Sequence, residues 1–171
     1  PPHAAPPAPP PPPPVAPRGG LDSPHEPSPF GSVVQGLTRI GVLVSAFLDP
    51  DEAQLNLARQ LGFDAVELHT GSYANALPGD AGEQLARLER GGQWIREGGM
   101  RLHAGHGLNY RNVDPIARMT CMAALNIVHA IVILALFLGM RVAVRVMPRS
   151  IADATEARHV RLVLPRGDTR P

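Results

Sequence analysis

Three histidines carry most of the chemistry this sequence offers. His69, His106 and His129 each fall at or just after the end of a short apolar run. An imidazole can donate or accept a proton near neutral pH. His106 has the clearest local setting, because Gly105 and Gly107 flank it and let the chain turn sharply beside a ligand. His129 opens an apolar run of helical length. The free N–H groups and positive dipole end of a helix start suit a phosphate there, held by the Val128 and His129 main-chain donors. A plain capping role for His129 stays open. His69 reads as a structural rim residue, since Glu67 and Thr70 are near enough in sequence to hydrogen-bond it. The three are 37 and 23 residues apart with no i,i+4 pair, so no metal site is expected. No cofactor-binding glycine fingerprint or P-loop is present. There is no Ser-centred nucleophile elbow either.

The elements that must position these groups alternate. Gly41–Leu48 is a near-continuous apolar run, as expected of a strand buried on both faces. Asp49-Pro50-Asp51-Glu52 then reads as a helix start with Asp49 as N-cap, and the helix should stop at Gly62. Ala65–His69 is a second strand, and a helix over about Gly82–Glu97 follows. Gly91-Gly92 should weaken that helix by roughly 1 kcal/mol per glycine relative to Ala. Met100–Ala104 is a third strand and Ala123–Ile127 a fourth, with a short helix from Asp114-Pro115 between them. One long helix from His129 to Met147, ending at Pro148, completes the pattern. Four βα units predict an α/β fold with a parallel sheet, either open or part of a barrel. In such folds reactive groups collect at the carboxyl ends of the strands, which puts His69, His106 and His129 on one rim.

Composition bounds the rest. The chain has 171 residues. Residues 1–30, rich in Pro, are expected to be a disordered leader, since Pro lacks the donor a helix or sheet ladder needs. Residues 31–150 form the expected domain, and 151–171 a flexible Arg-rich tail. Net charge is +1, which argues against a nucleic-acid binder. All 16 basic residues are Arg, so no lysine Schiff base can form. The single cysteine, Cys121, excludes an internal disulfide and reads as buried. A reducing, cytoplasmic setting fits. The leader lacks a charged-then-apolar signal pattern. The apolar run Ala130–Met140 is eleven residues, short of the ~20 a bilayer needs, and is expected to be a buried helix rather than a membrane anchor.

Four strings then stand out together: Val44-Ser-Ala-Phe-Leu-Asp-Pro50, Glu67-Leu-His-Thr-Gly-Ser-Tyr-Ala74, Ala104-Gly-His-Gly-Leu-Asn-Tyr110 and Leu125-Asn-Ile-Val-His129. In order and spacing they resemble the C-terminal half of the pyridoxine 5′-phosphate synthase family. The Gly19-Gly20-Leu21-Asp22 string is similar to the segment before that family's fifth strand. The resemblance runs from about Gly19 to Met147 and implies a partial (β/α)8 TIM barrel. It implies a transferase of vitamin B6 biosynthesis that condenses 1-deoxy-D-xylulose 5-phosphate with 3-amino-2-oxopropyl phosphate, without metal or organic cofactor. By resemblance His106 matches the proton donor, Gly107 a contact to the aminoketone phosphate, and Val128 with His129 the pair that holds its phosphate. The family has Gly at position 128, where Val could crowd the phosphate and disfavour a positive φ. It has Asn at 103 instead of His, and a Thr where Ala16 stands. Arg141 and Val144 make the last helix more basic and more apolar than is usual. The family's first four strands are not matched, so the expected chain is a half-barrel with two open edges and doubtful activity on its own. The alternative is a remnant that assembles with itself or with a partner. A homo-oligomer acting on small phosphorylated substrates, with no nucleic acid and no membrane, is the expected setting.

Overall fold

The computed structural model describes residues 27–155. Residues 1–26 of the expected leader, with Ala16 and the Gly19–Asp22 string, lie outside the described residues, as does the tail beyond Thr155.

Three boundaries differ from expectation: the first strand is only Ser45–Leu48, leaving Val42 and Leu43 of the expected Gly41–Leu48 run exposed, and the other two lie at the ends of the described residues. Helix α1 covers Pro27–Arg39, so the last four residues assigned to the leader are helical. Its prolines at 27 and 29 occupy the first turn, where no N–H is required of them. At the other end, the helix expected to stop at Pro148 runs on to Thr155 and takes the first five residues of the expected tail. Met147 and Ile151, one turn apart around Pro148, are buried against Val113 and Ala117. That burial holds the helix through the hydrogen bond that Pro removes.

Between these ends the chain alternates as the pattern predicts. Strand β1 (Ser45–Leu48) leads to α2 (Glu52–Leu61) and β2 (Ala65–His69). A single turn, α3 (Gly71–Ala74), and the long α4 (Ala81–Glu97) lead to β3 (Arg101–Gly105). Then come α5 (Val113–Ala117), β4 (Met122–Asn126), α6 (His129–Leu138) and α7 (Met140–Thr155). The sheet order is β1-β2-β3-β4 and every pair is parallel. This is the topology of four consecutive units of a β/α barrel. Among the described residues β1 and β4 are its edges.

The cap of α2 is not the residue the sequence suggested. Asp51, not Asp49, is the N-cap, and its carboxylate accepts from Gln54 N. Gly62 ends the helix in the left-handed region, as expected. The long last helix is two helices, because Gly139 at φ 80° and ψ 150° breaks it. The glycine pair in α4 costs propensity but gains contact. A Cβ on Gly92 would lie 2.8 Å from Met119 Cε and 2.9 Å from Leu102 Cδ2. Helix and sheet therefore meet more closely than any side chain there would permit.

Alternate strand residues point to the helices. Ala46, Leu48, Val66, Leu68, Leu102 and Ala104 pack under Leu55, Leu88 and Ile95 in one core. The opposite face carries Phe47, Glu67 and His103 in register across β1, β2 and β3. That polar face corresponds to the inside of a barrel, and the candidate site lies above it. Helix α6 has no buried residue, which corrects the expectation of a buried helix over Ala130–Met140. Its sequence is apolar all round, so only one side can be covered by α7. Leu136 and Phe137 are each 79% exposed. Among the described residues no helix is long and apolar enough to cross a membrane. Cys121 is also exposed rather than buried, in a left-handed turn at φ 63° just before β4.

Candidate functional site

The carboxyl ends of β3 and β4 deliver their next residues to one cleft of about 960 Å³. His106, Gly107, Val128 and His129 all line it, with Phe47, Glu67 and Asn126. His69 does not line it; its ring sits behind that of His106.

His106 follows the last residue of β3 and adopts φ 80°, and Gly107 follows at φ 77°. Two successive left-handed residues turn the chain abruptly and leave the His106 side chain exposed above the rim. A Cβ on Gly107 would lie 2.6 Å from Ala74 Cβ, so only glycine fits between this loop and α3. The loop is tied to β2 by Thr70, which is fully buried. Its N–H donates to Gly105 O at 2.9 Å. Its hydroxyl lies 2.7 Å from Gly105 O and 2.5 Å from His106 O, and one proton serves both carbonyls.

The His69 ring is 5% exposed. Its Nδ1 is 2.8 Å from Asp49 Oδ1. A carboxylate only accepts, so Nδ1 carries the proton. The His69 and His106 ring centroids are 4.7 Å apart at 49°. Phe47 meets His69 edge-on at 5.2 Å and 87°. Gly71 leaves room for this arrangement, since a Cβ there would be 2.8 Å from His69 Cε1 and Nε2.

The floor of the cleft is acidic. Glu67 rises from mid-β2, and Asn126 Nδ2 donates to its Oε2 at 2.5 Å. Its other oxygen occupies the space a side chain at Gly105 would need. His103 is the register partner of Glu67 on β3. Burial pushes the His103 imidazole below its usual range; the Glu67 charge opposes that shift and Arg101 adds to it. From the sequence Asp49 reads as a helix cap and Glu67 as a neighbour of His69, and neither these nor Asn126 is picked out as a site residue. The strand alternation that puts Glu67 on the polar face was legible, since it is the one charge inside an apolar strand. Its link to Asn126 spans 59 residues and needs the sheet order.

The far wall is α6. Val128 is its N-cap at φ −120° and ψ −57°, and no side chain caps the helix. No positive φ is used at position 128, so valine incurs no backbone strain there, contrary to expectation. Its side chain is 71% exposed. The first-turn N–H groups have no partner within the helix and can hold an anion. Among the described residues no group of three or more potential ligands is placed to hold a metal ion. The cleft thus combines an exposed imidazole, a carboxylate held by an amide, and a helix start.

Comparison with known proteins points the same way. The pyridoxal phosphate biosynthesis protein PdxJ family matches residues 6–153, beyond both ends of the stretch expected from the sequence strings. Pyridoxine 5′-phosphate synthase from Rhodopirellula baltica is 46% identical over 143 residues, 84% of this chain and 58% of that protein. The Sulfurihydrogenibium sp. protein of the same name is 36% identical over 140 residues, 82% of this chain and 58% of its own length. The protein of that name from Dechloromonas aromatica is 39% identical over 151 residues, 83% of this chain and 60% of its own. The chain spans roughly three-fifths of the length of these curated relatives.

Proposed function

This chain belongs to the pyridoxal phosphate biosynthesis protein PdxJ family, and from that premise we propose that its cleft is the aminoketone-phosphate half of a pyridoxine 5′-phosphate synthase site. The reaction is the condensation of 3-amino-2-oxopropyl phosphate with 1-deoxy-D-xylulose 5-phosphate. His106 is the proton donor, Gly107 contacts the aminoketone phosphate, and the Val128 and His129 N–H groups receive its phosphate. Asn126 keeps the Glu67 carboxylate aimed into the same space. One observation carries the reading: a left-handed, exposed His106 faces an uncapped helix start across a single cleft. Partners are small phosphorylated molecules, and the setting is the cytoplasm.

The test is titration of this chain with 3-amino-2-oxopropyl phosphate, followed by amide chemical shifts. Saturable shifts centred on Gly107, Val128 and His129 are expected. Shifts elsewhere, or none at millimolar ligand, overturn the assignment. The purified chain alone is expected to give no ring closure from the two substrates, and turnover by monodisperse protein would contradict that.

A second reading, a self-assembling or partner-binding module, is favoured by the exposed apolar side of α6 and by the two sheet edges among the described residues. Sedimentation of a strictly monomeric chain at micromolar concentration removes its self-assembling form.

A further inference from the structure

We infer that Asp49 and His69 form a positioning pair for the His106 imidazole, an inference that rests on the proton-handling role proposed for His106. His106 stands on an exposed turn, and the ring contacts it makes are with Phe47 and His69, on other elements. The fixed object beside it is the His69 ring, 4.7 Å away between centroids. Three elements converge to hold that ring. Asp49, just past β1, accepts a hydrogen bond from His69 Nδ1–H at 2.8 Å. Phe47 of β1 closes one side edge-on. Gly71, at the start of α3, withholds the side chain that would displace the ring.

The hydrogen bond does two things. It sets the plane of the His69 ring, and it settles which nitrogen bears hydrogen. A neutral imidazole with Nδ1 as donor presents Nε2 as an acceptor. The Nε2 and Cε1 edge lies toward Gly71, the glycine that also neighbours His106 Cδ2. His106 therefore packs on a platform whose orientation and polarity are set 57 residues away in sequence, at Asp49. An apolar residue at position 69 would fill the same space without fixing either property. Asp49 is free for this task because Asp51 caps α2.

The test uses this chain labelled with ¹⁵N-histidine. In the parent chain, His69 shows the Nδ1–H tautomer, and its ring protons show through-space contacts to those of His106. Asp49→Ala shifts His69 toward the Nε2–H form and weakens those contacts at least threefold. Asp49→Asn retains an acceptor oxygen and restores both signals. If Asp49→Ala stays folded and leaves the His106 ring signals as they are in Asp49→Asn, the inference is wrong. Should Asp49→Ala unfold, His69→Gln decides: it removes the platform but keeps a donor for Asp49. His106 ring signals must then broaden or move by more than those of His129, and unchanged signals overturn the pair. Neither readout uses turnover or ligand. A well-held His106 in a chain that ignores the aminoketone phosphate would remove the functional reading and leave the pair standing.

Discussion

Replacing His106 by Gly and by Ala gives a stability order opposite to the usual one. Position 106 has φ 80°. A side chain in the left-handed region costs about 1–2 kcal/mol, which glycine avoids. Both substitutions delete the imidazole. Both forfeit its contacts with His69 at 4.7 Å and Phe47 at 6.5 Å, worth about 0.5–1.5 kcal/mol. Only Ala keeps the Cβ and its strain. Glycine gives back about 0.4–1 kcal/mol through the freer unfolded chain. The net leaves His106→Gly more stable than His106→Ala by roughly 0.5–1 kcal/mol. With a urea slope of about 2 kcal/mol per molar, the midpoints should differ by roughly 0.25–0.5 M. Ala86→Gly in α4 is the control, and there glycine should be less stable by about 1 kcal/mol. A His106→Gly midpoint at or below that of His106→Ala refutes the strained turn. It would also undermine the placement of the ring above the cleft, since that turn is what lifts it there.

Three further outcomes are expected. Gly71→Ala forces a methyl against a His69 ring that Asp49 holds, so urea unfolding should show a loss of about 1–3 kcal/mol; parent-like stability would mean the ring can move aside. His103, lowered chiefly by burial, makes stability complete above about pH 6.5 and progressively lost as pH falls from there toward its folded value, because the unfolded chain then takes up the proton first. His103→Asn should flatten that limb of a stability–pH curve, and parallel curves for the two proteins would show that His103 is not its source. Val128→Gly removes an exposed branched side chain from the uncapped start of α6, so titration with inorganic phosphate should give several-fold tighter binding, whereas an unchanged affinity would show that the valine does not crowd the anion.

The parallel sheet was readable because its signals are local. Ala65–His69 and Met100–Ala104 are short apolar runs closed by glycine-containing turns, and each forms a strand within a residue or so of the expected place. The misses arose where the sequence offers two equivalent solutions. Asp49 and Asp51 both precede a helix start, and only the position of His69 across the sheet assigns one to the cap and the other to the ring. Gly139 sits in an apolar stretch with no other breaker, so a single helix was the simpler reading. Pro148 looked like a stop because the burial of Ile151 beyond it depends on where α5 lies. The four residues expected to contact substrate do share one cleft, since all follow strand ends. The role of His69 was legible only as a rim position, because its partner Asp49 follows a different strand, 20 residues earlier in the chain.

The two ends of the cleft differ in how firmly they are held. The His106 turn is bound to the main core, through Thr70 on one side and the register of β2 with β3 on the other. The Val128–His129 end stands on α6, whose Ala130 and Ile131 pack against the smaller cluster of Val113, Ala117, Met147 and Ile151. The rest of α6 presents Leu136, Phe137 and Leu138 to solvent. Contacts that bury those side chains are worth roughly 1.5–3 kcal/mol each at full burial. Loss of a smaller-cluster residue such as Ile151 should therefore loosen phosphate binding while leaving the His69–His106 contact intact. Loss of Leu68, under the β2–β3 pair, should disturb both. Covering α6 would tighten the helix-start end without touching the imidazole end, so on the proposed reading phosphate affinity answers to the packing of α6 and the His106 ring to the core beneath His69.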